Sequence, residues 1–320
     1  MDENKKFNLS IAPHLGTTEN VPKTMGVVIL ALLPALFWGF YLFRLPAVLV
    51  TITCIIGCVT AEMFVQYLRK RDLFVVKDLS AVLTGILLAM VLPPSLPLWA
   101  ALLGSWFAII IGKSLFGGLG FNIFNPALLG RAFLQMSFPV MMTTWATPII
   151  YKTKAVTSAT PLALGKFEGV FTGVKELFFG LHGGCIGETS AFLLLLGAIV
   201  LVYKKIIDIR LPLTILASIA ILSTAFNLIP GVAVGSVFYN WFAGGVIIGA
   251  FYMATDMVTS PLTVKGKVIF GIGIAIVVMV IRAFGGLPEA VMFSILFMNA
   301  FVPIINRHTR PSILGERKGK

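Results

Sequence analysis

Ten apolar runs dominate this chain, and their length fixes what it can be. They lie near 24–43, 47–68, 79–93, 97–113, 126–138, 189–203, 211–229, 233–254, 268–284 and 288–306. A helix that crosses the hydrocarbon core of a bilayer needs roughly 20 mostly apolar residues. Most of the runs meet that length. The third and fifth are too short to cross straight, and each lies beside a helix-breaking cluster: Pro93-Pro94 for one, Gly117, Gly118 and Gly120 for the other. Broken helices at membrane depth are tolerated where they are buried in protein or line a cavity. Charge agrees. Only 12% of the 320 residues are charged and 58% are hydrophobic, against roughly 25% charged in a soluble domain. The expectation is an all-α integral membrane protein of about ten spans.

The formal charge of +12 reads as cationic flanks of membrane helices, with no need of nucleic acid to explain it. Lys and Arg mark the cytoplasmic side. With the N-terminus inside, basic clusters follow spans 2, 4, 6 and 8 and fill the tail: Arg69 to Lys77, Lys113, Lys204 to Arg210, Lys265 with Lys267, and Arg307 onward. The opposite connections are poor in charge. The organisation expected is a cytoplasmic segment 1–23, a five-helix unit 24–138, an external segment 139–188, a second five-helix unit 189–306 and a basic cytoplasmic tail 307–320. The polar start carries no cleavable signal. The external segment, with Lys152, Lys154, Lys166 and Lys175, runs mildly against the charge rule, which long segments obey weakly. Cys54 and Cys58, four apart in one run, share a helix face. They read as small packing residues, with a redox or metal pair as the alternative.

Trp106-Phe107-Ala108 recurs as Trp241-Phe242-Ala243, and 20 residues after each Trp stands a proline, Pro126 and Pro261. Five spans per half is an odd number, so the halves point oppositely across the membrane. That is an inverted repeat, a design that places ligand sites at broken helices near the midplane. The two breaks contain Asn122 and Asn125 in one and Asp256 in the other. Asn125 before Pro126 fits an N-cap. Asn122 is left for a ligand edged with donors and acceptors. Asp256 reads as a cap of the helix through Pro261 or as part of an ion path. Glu188 reads as a first-turn carboxylate favoured by the helix dipole, or likewise as part of an ion path. Arg131 is expected to pair with a carboxylate or polar ligand, and Lys113 to snorkel to the interface.

The external segment holds Thr157-Ser158-Ala159-Thr160-Pro161. Three hydroxyls before a proline mark a turn, and no base stands beside Thr160 to make it a nucleophile. Here a resemblance adds information. T-S-A-T resembles the S/T-G-A-T flavinylation motif, whose last Thr receives FMN through a phosphoester made by a dedicated flavin transferase. Lys154 stands where that pattern commonly has Asp, and Ser158 replaces its Gly. Together with GLGFNIFNPALLGRAF, GGCIGETSA and YMATDMVTSP, the chain resembles the RnfD subunits of Rnf complexes over about residues 9–306. Such a complex couples ferredoxin:NAD⁺ electron transfer to Na⁺ or H⁺ pumping. The chain is similar also to the NqrB subunits of the Na⁺-translocating NADH:quinone reductase; the short segment before the first span favours the Rnf member.

The resemblance implies covalent FMN on Thr160, with Thr157, Ser158 and Ala159 as its motif. It implies non-covalent riboflavin held with help from Asn122 and Asn125. It also implies the other Rnf subunits as partners and a prokaryotic inner membrane as location. Asp256 and Glu188 are candidates for the cation path. A non-redox channel or transporter of inverted-repeat type stays open as the alternative, because the residues by themselves support it equally.

Overall fold

In the computed structural model, residues 20–70, 77–146, 148, 159–230, 232, 234–287 and 289–311 are described. Among them the chain is helical, with no β-strand. Five helices are long and apolar enough to cross a membrane: α1 Val21–Phe43, α2 Leu45–Leu68, α10 Arg210–Asn227, α13 Val264–Phe284 and α14 Val291–His308. Shorter apolar helices lie between them: α3 Ser80–Met90, α4 Leu98–Ile109 with the π-helical turn Ile110–Ser114, α5 Pro126–Ser137 and α9 Ala191–Tyr203. At 1.5 Å per residue, α3 and α5 reach about 17–18 Å, little more than half of a roughly 30 Å hydrocarbon core. Two short helices, α6 Pro139–Thr143 and α7 Pro161–Ala163, flank residues outside the description. The short helix α8 Val174–Phe179 follows α7.

The long helices leave large apolar side chains on their outer faces. Leu30, Phe37, Ile52, Ile56, Ile221, Ile276 and Phe297 are all exposed. In water such a surface would be a large exposed patch; against lipid it is the solvated face. Small residues line the inner faces, as at Ala31, Ala35, Ala47 and Ala61, and let helices approach closely. Cys54 and Cys58 belong to this packing: both are buried free thiols, and Cys58 Sγ points to the Ser105 carbonyl at 3.9 Å.

Packing relates two sets of five. α2 packs on α3 and α4 as α10 packs on α11 (Val237–Phe242) and α13; α4 packs on α5 as α13 packs on α14. α1 and α9 pack against each other between the two sets. This correspondence replaces the one read from the Trp-Phe-Ala repeat. That repeat joins α4 to α11, whereas by these contacts α4 corresponds to α13.

The eighth run is not one helix. It divides into α11, α12 (Val246–Ile248) and a π-helical turn Gly249–Met253. The break falls at Gly244, whose φ of 70° suits glycine. Arg282 from α13 donates to the freed Ala243 carbonyl at 2.8 Å and to the Asn240 carbonyl at 2.8 Å.

Side-chain contacts define two ends. At the basal end, Arg69 holds the Ser114 carbonyl, Lys267 pairs with Asp208 at 3.0 Å, and Thr263 meets Thr309 at 2.6 Å. The ends of α2 and α14 and the start of α13 carry these contacts, and Thr24 of α1 and Leu201 of α9 line a common cavity with Lys113. At the distal end, residues 182–190 are buried and do not form a soluble loop. They dive between α1 and α3: Gly187 N–H donates to the Met90 carbonyl at 2.7 Å and Ile186 N–H to the Leu92 carbonyl at 3.2 Å. A Cβ on Gly187 would stand 2.6 Å from Met90 Cβ, so the close approach depends on that glycine.

Candidate functional site

Two cavities occupy the two ends of the bundle. The basal one is lined by both helix breaks and by Ser80 and Lys113. Thus Asn122 and Asn125 from one break and Asp256 from the other line one cavity. Asn125 is the N-cap of α5: its Oδ1 accepts from Ala127 N–H at 3.0 Å and Leu128 N–H at 3.4 Å, and Pro126 stands at N1. Its Nδ2 donates to the Met253 carbonyl at 3.2 Å, which ties one break to the other. Asn122 lies in a bend outside any helix, so the two do not share a helical face. Its Nδ2 donates to the Phe124 carbonyl at 3.3 Å, while its Oδ1 is buried without a hydrogen-bond partner. A buried orphan acceptor costs about 1–3 kcal/mol, and a ligand N–H would remove that cost.

Asp256 does not cap α13. Thr263 does, accepting from Gly266 N–H at 3.0 Å. Asp256 instead accepts from Thr259 Oγ1 at 3.0 Å and stays partly open to the cavity.

Lys113 departs from expectation. It does not snorkel: it is 2% exposed and its Nζ contacts Glu62 Oε1 and Ser80 Oγ, each at 2.5 Å. The π-helical turn Ile110–Ser114 carries Lys113 and turns it inward, toward α2 and α3. Ser80 in turn donates to Asp78 Oδ1 at 2.6 Å. Sequence offered no sign of Glu62 beyond a carboxylate inside a span, which is by itself a functional pointer.

The distal cavity has Thr160 and Ala159 in its lining with Arg131, Trp145, Phe167 and Phe293. Thr160 is the N-cap of α7; its Oγ1 accepts from Ala163 N–H at 3.2 Å. Thr157 and Ser158 lie outside the described residues. Behind the cavity, Arg131 NH1 is 3.5 Å from Glu188 Oε1 and Arg131 NH2 holds Glu289 Oε2. The pairing expected of Arg131 is met, and by two carboxylates. Glu188 does not sit in the first turn of α9, which Ser190 caps. It precedes the helix and faces inward. Glu289 follows Gly285, Gly286 and Leu287 in the connection before α14 and carried no sequence signal. Arg131 lies six residues along α5 from Asn125, about 9 Å at helical rise, so one short helix joins the walls of both cavities.

Outside the helices, His182 is buried and held below its ordinary pKa by desolvation, against the pull of the Gly183 carbonyl 3.0 Å from Nδ1 and of Glu176.

The sequence matches the family model for NQR2, RnfD and RnfE over residues 8–315. The chain belongs to that family. Among relatives, the D subunit of the proton-translocating ferredoxin:NAD(+) oxidoreductase complex of Clostridium ljungdahlii is 44% identical over 98% of this chain and 97% of its own length. The D subunit of the Na(+)-translocating ferredoxin:NAD(+) oxidoreductase complex of Acetobacterium woodii is 45% identical with the same coverage. The D subunit of an ion-translocating oxidoreductase complex from Stutzerimonas stutzeri is 40% identical over 94% of each chain. Membership in the NQR2, RnfD, RnfE family agrees with the multi-pass helical fold. It spans both cavities, since the matched residues include every wall residue named above.

Proposed function

We propose that this chain is the RnfD subunit of an Rnf-type membrane complex that couples ferredoxin:NAD⁺ oxidoreduction to Na⁺ or H⁺ translocation. In this reading FMN is joined to Thr160 and riboflavin is held in the basal cavity. The observation that carries it is identity of 44–45% over 98% of this chain and 97% of each of two relatives with that printed role. Full-length coverage by these ferredoxin:NAD(+) oxidoreductase relatives favours this reading over the NqrB subunit of the quinone reductase.

The cavity residues fit flavins. Thr160 lines a cavity in which Trp145, Phe167 and Phe293 offer apolar surface for a flavin ring and Arg131 is a fixed cation. A flavin bound there would supply one-electron transfer, which no side chain of this chain can. The phosphoester would be made by a flavin transferase, which explains a threonine with no activating base beside it. In the basal cavity Asn122 Oδ1 is the free acceptor for a ring N–H. Asn125 holds the break in shape through its cap and its bond to Met253. Lys113, fixed by Glu62 and Ser80, would stabilise negative charge that develops nearby, strongly so in a low-dielectric site. Asp256 at the basal cavity and Glu188 behind the distal one are the carboxylates proposed for the cation path. The remaining Rnf subunits would surround the bundle. In this reading the basal end faces the cytoplasm of a prokaryotic cell and Thr160 lies outside, an orientation that the positive-inside rule supports.

The test is the intact mass of the chain purified from cells that also make the transferase. The mass should exceed the bare chain by one FMN phosphoester, and a denatured gel band should fluoresce as flavin. Thr160→Val should abolish both. An unmodified mass, or fluorescence that survives in the variant, overturns the covalent assignment. A non-redox transporter would show neither property.

A further inference from the structure

Glu188 and Glu289 reach one point from different segments, the buried connection before α9 and the turn before α14. Their carboxylate oxygens and the Cys185 sulfur lie within 4.8 Å of one another. One guanidinium, Arg131, serves both carboxylates. Glu289 gives Oε2 to Arg131 and turns Oε1 toward Gly245, where it meets Oε1 of Glu188, itself 3.5 Å from Arg131 NH1. A Cβ at Gly245 would stand 3.0 Å from Glu289 Oε1 and 3.4 Å from Glu188 Oε1. The glycine leaves the room in which the two carboxylates meet. Glu188 Oε1 is buried without a hydrogen-bond partner, on a side chain 5% exposed.

On the Oε2 side of Glu188 stands buried His182: a Cβ on Gly184 would be 3.5 Å from that oxygen and 3.8 Å from His182 Nδ1. From α13, Arg282 approaches behind Gly244 but spends its guanidinium on the Asn240 and Ala243 carbonyls and on Asn240 Oδ1. The Cys185 thiol donates to the Val91 carbonyl at 3.1 Å. Among the described residues, Arg131 is the cation in direct contact with the pair. Two carboxylates at such separation cannot both ionise without strong mutual repulsion, and one proton shared between them removes it.

We propose that Glu188 and Glu289 form a carboxyl–carboxylate pair that holds one exchangeable proton behind the distal cavity. The proton arrives from water in that cavity, which Glu289 lines, and forms an O–H bond to one Oε1. The other Oε1 accepts the hydrogen bond. Release returns the proton to water and leaves both carboxylates facing Arg131; no other bond changes. Negative charge arising beside Thr160 would retain the proton, and its departure would let it go. Only this last role rests on the flavin reading above. The pair itself is a property of the bare chain.

Infrared difference spectroscopy of the purified chain in lipid nanodiscs, in H₂O and D₂O, tests the proposal. An ordinary glutamate, with a pKa of about 4.3, shows no protonated-carboxyl band at neutral pH. The wild type should show such a band, shifted by D₂O. Glu188→Gln and Glu289→Gln should each remove the same band, and Asp256→Asn should leave it. Glu289→Asp, which keeps the acid on a shorter arm, should shift it. A band unchanged in all three Glu variants, or no such band in the wild type, overturns the proposal. Thr160→Val should retain the band, so loss of the flavin assignment and loss of the proton pair give different results.

Discussion

Replacing Glu62 by Gln tests the basal charge pair directly. Lys113 Nζ lies 2.5 Å from Glu62 Oε1, with side chains 2% and 3% exposed. At that distance, and at an effective dielectric of about 20, two unit charges attract by roughly 7 kcal/mol. Desolvation of both ions offsets most of that gain, so the intact pair contributes little net stability. The variant differs because it removes one charge and leaves the other buried. Its expected cost is therefore about 3–5 kcal/mol. Ser80 Oγ keeps one hydrogen bond to the ammonium, which argues for the lower part of that range. At about 2 °C per kcal/mol for a chain of this size, the midpoint should fall by several degrees. Heating detergent-solubilised chain and counting the surviving monodisperse fraction by fluorescence size-exclusion reads this shift. Lys113→Met should cost a similar amount for the mirror-image reason. The double variant Glu62→Gln/Lys113→Met should recover most of the loss, since no charge remains buried. Single variants that lose less than about 1 kcal/mol, or a double variant that loses the sum, would show that water reaches this pair and refute the buried reading.

Asn125→Ala should cost about 1–2 kcal/mol through loss of the α5 cap, whereas Asn122→Leu, which removes an orphan acceptor, should be near neutral in stability and lose non-covalent flavin from the purified chain. Thermal midpoints and released-flavin absorbance separate the two. Gly187→Ala should destabilise by about 1–3 kcal/mol through overpacking against Met90, read as a lower midpoint; an unchanged midpoint would mean that residues 182–190 are not seated against α3. His182 is held below its ordinary pKa by burial. The unfolded chain therefore binds the proton first, and stability is full above the unfolded pKa of about 6.5. It should fall as pH drops through the lower folded value, and His182→Gln should flatten that slope between neutral and acid pH.

Much of the architecture was legible in the sequence because the bilayer imposes it. Run length located the apolar helices, and the third and fifth runs are short helices, α3 and α5, but the fourth and sixth runs also give short helices, α4 and α9, which run length did not announce. Basic flanks gathered at one end because charge avoids the hydrocarbon. Asn125 could be read as a cap because Asn-Pro at a helix start has a local cause. What failed was whatever depended on facing partners. Lys113 looked like an interfacial cation, since Glu62 lies 51 residues away and nothing in the spacing announces their meeting. Glu188 looked like a first-turn carboxylate, but Arg131 and Glu289, arriving from α5 and from the turn before α14, decide its place. The Trp-Phe-Ala repeat pairs α4 with α11 and the packing pairs α4 with α13, because short matches arise easily in an apolar composition while contacts depend on the whole helix face. Sequence alone thus determined a helical chain in lipid with a threonine motif on one connection. The tertiary structure decided which buried charges face each other and which wall each site residue occupies. The cost of burying an unpaired charge is local, but the partner that removes it can come from anywhere along the chain.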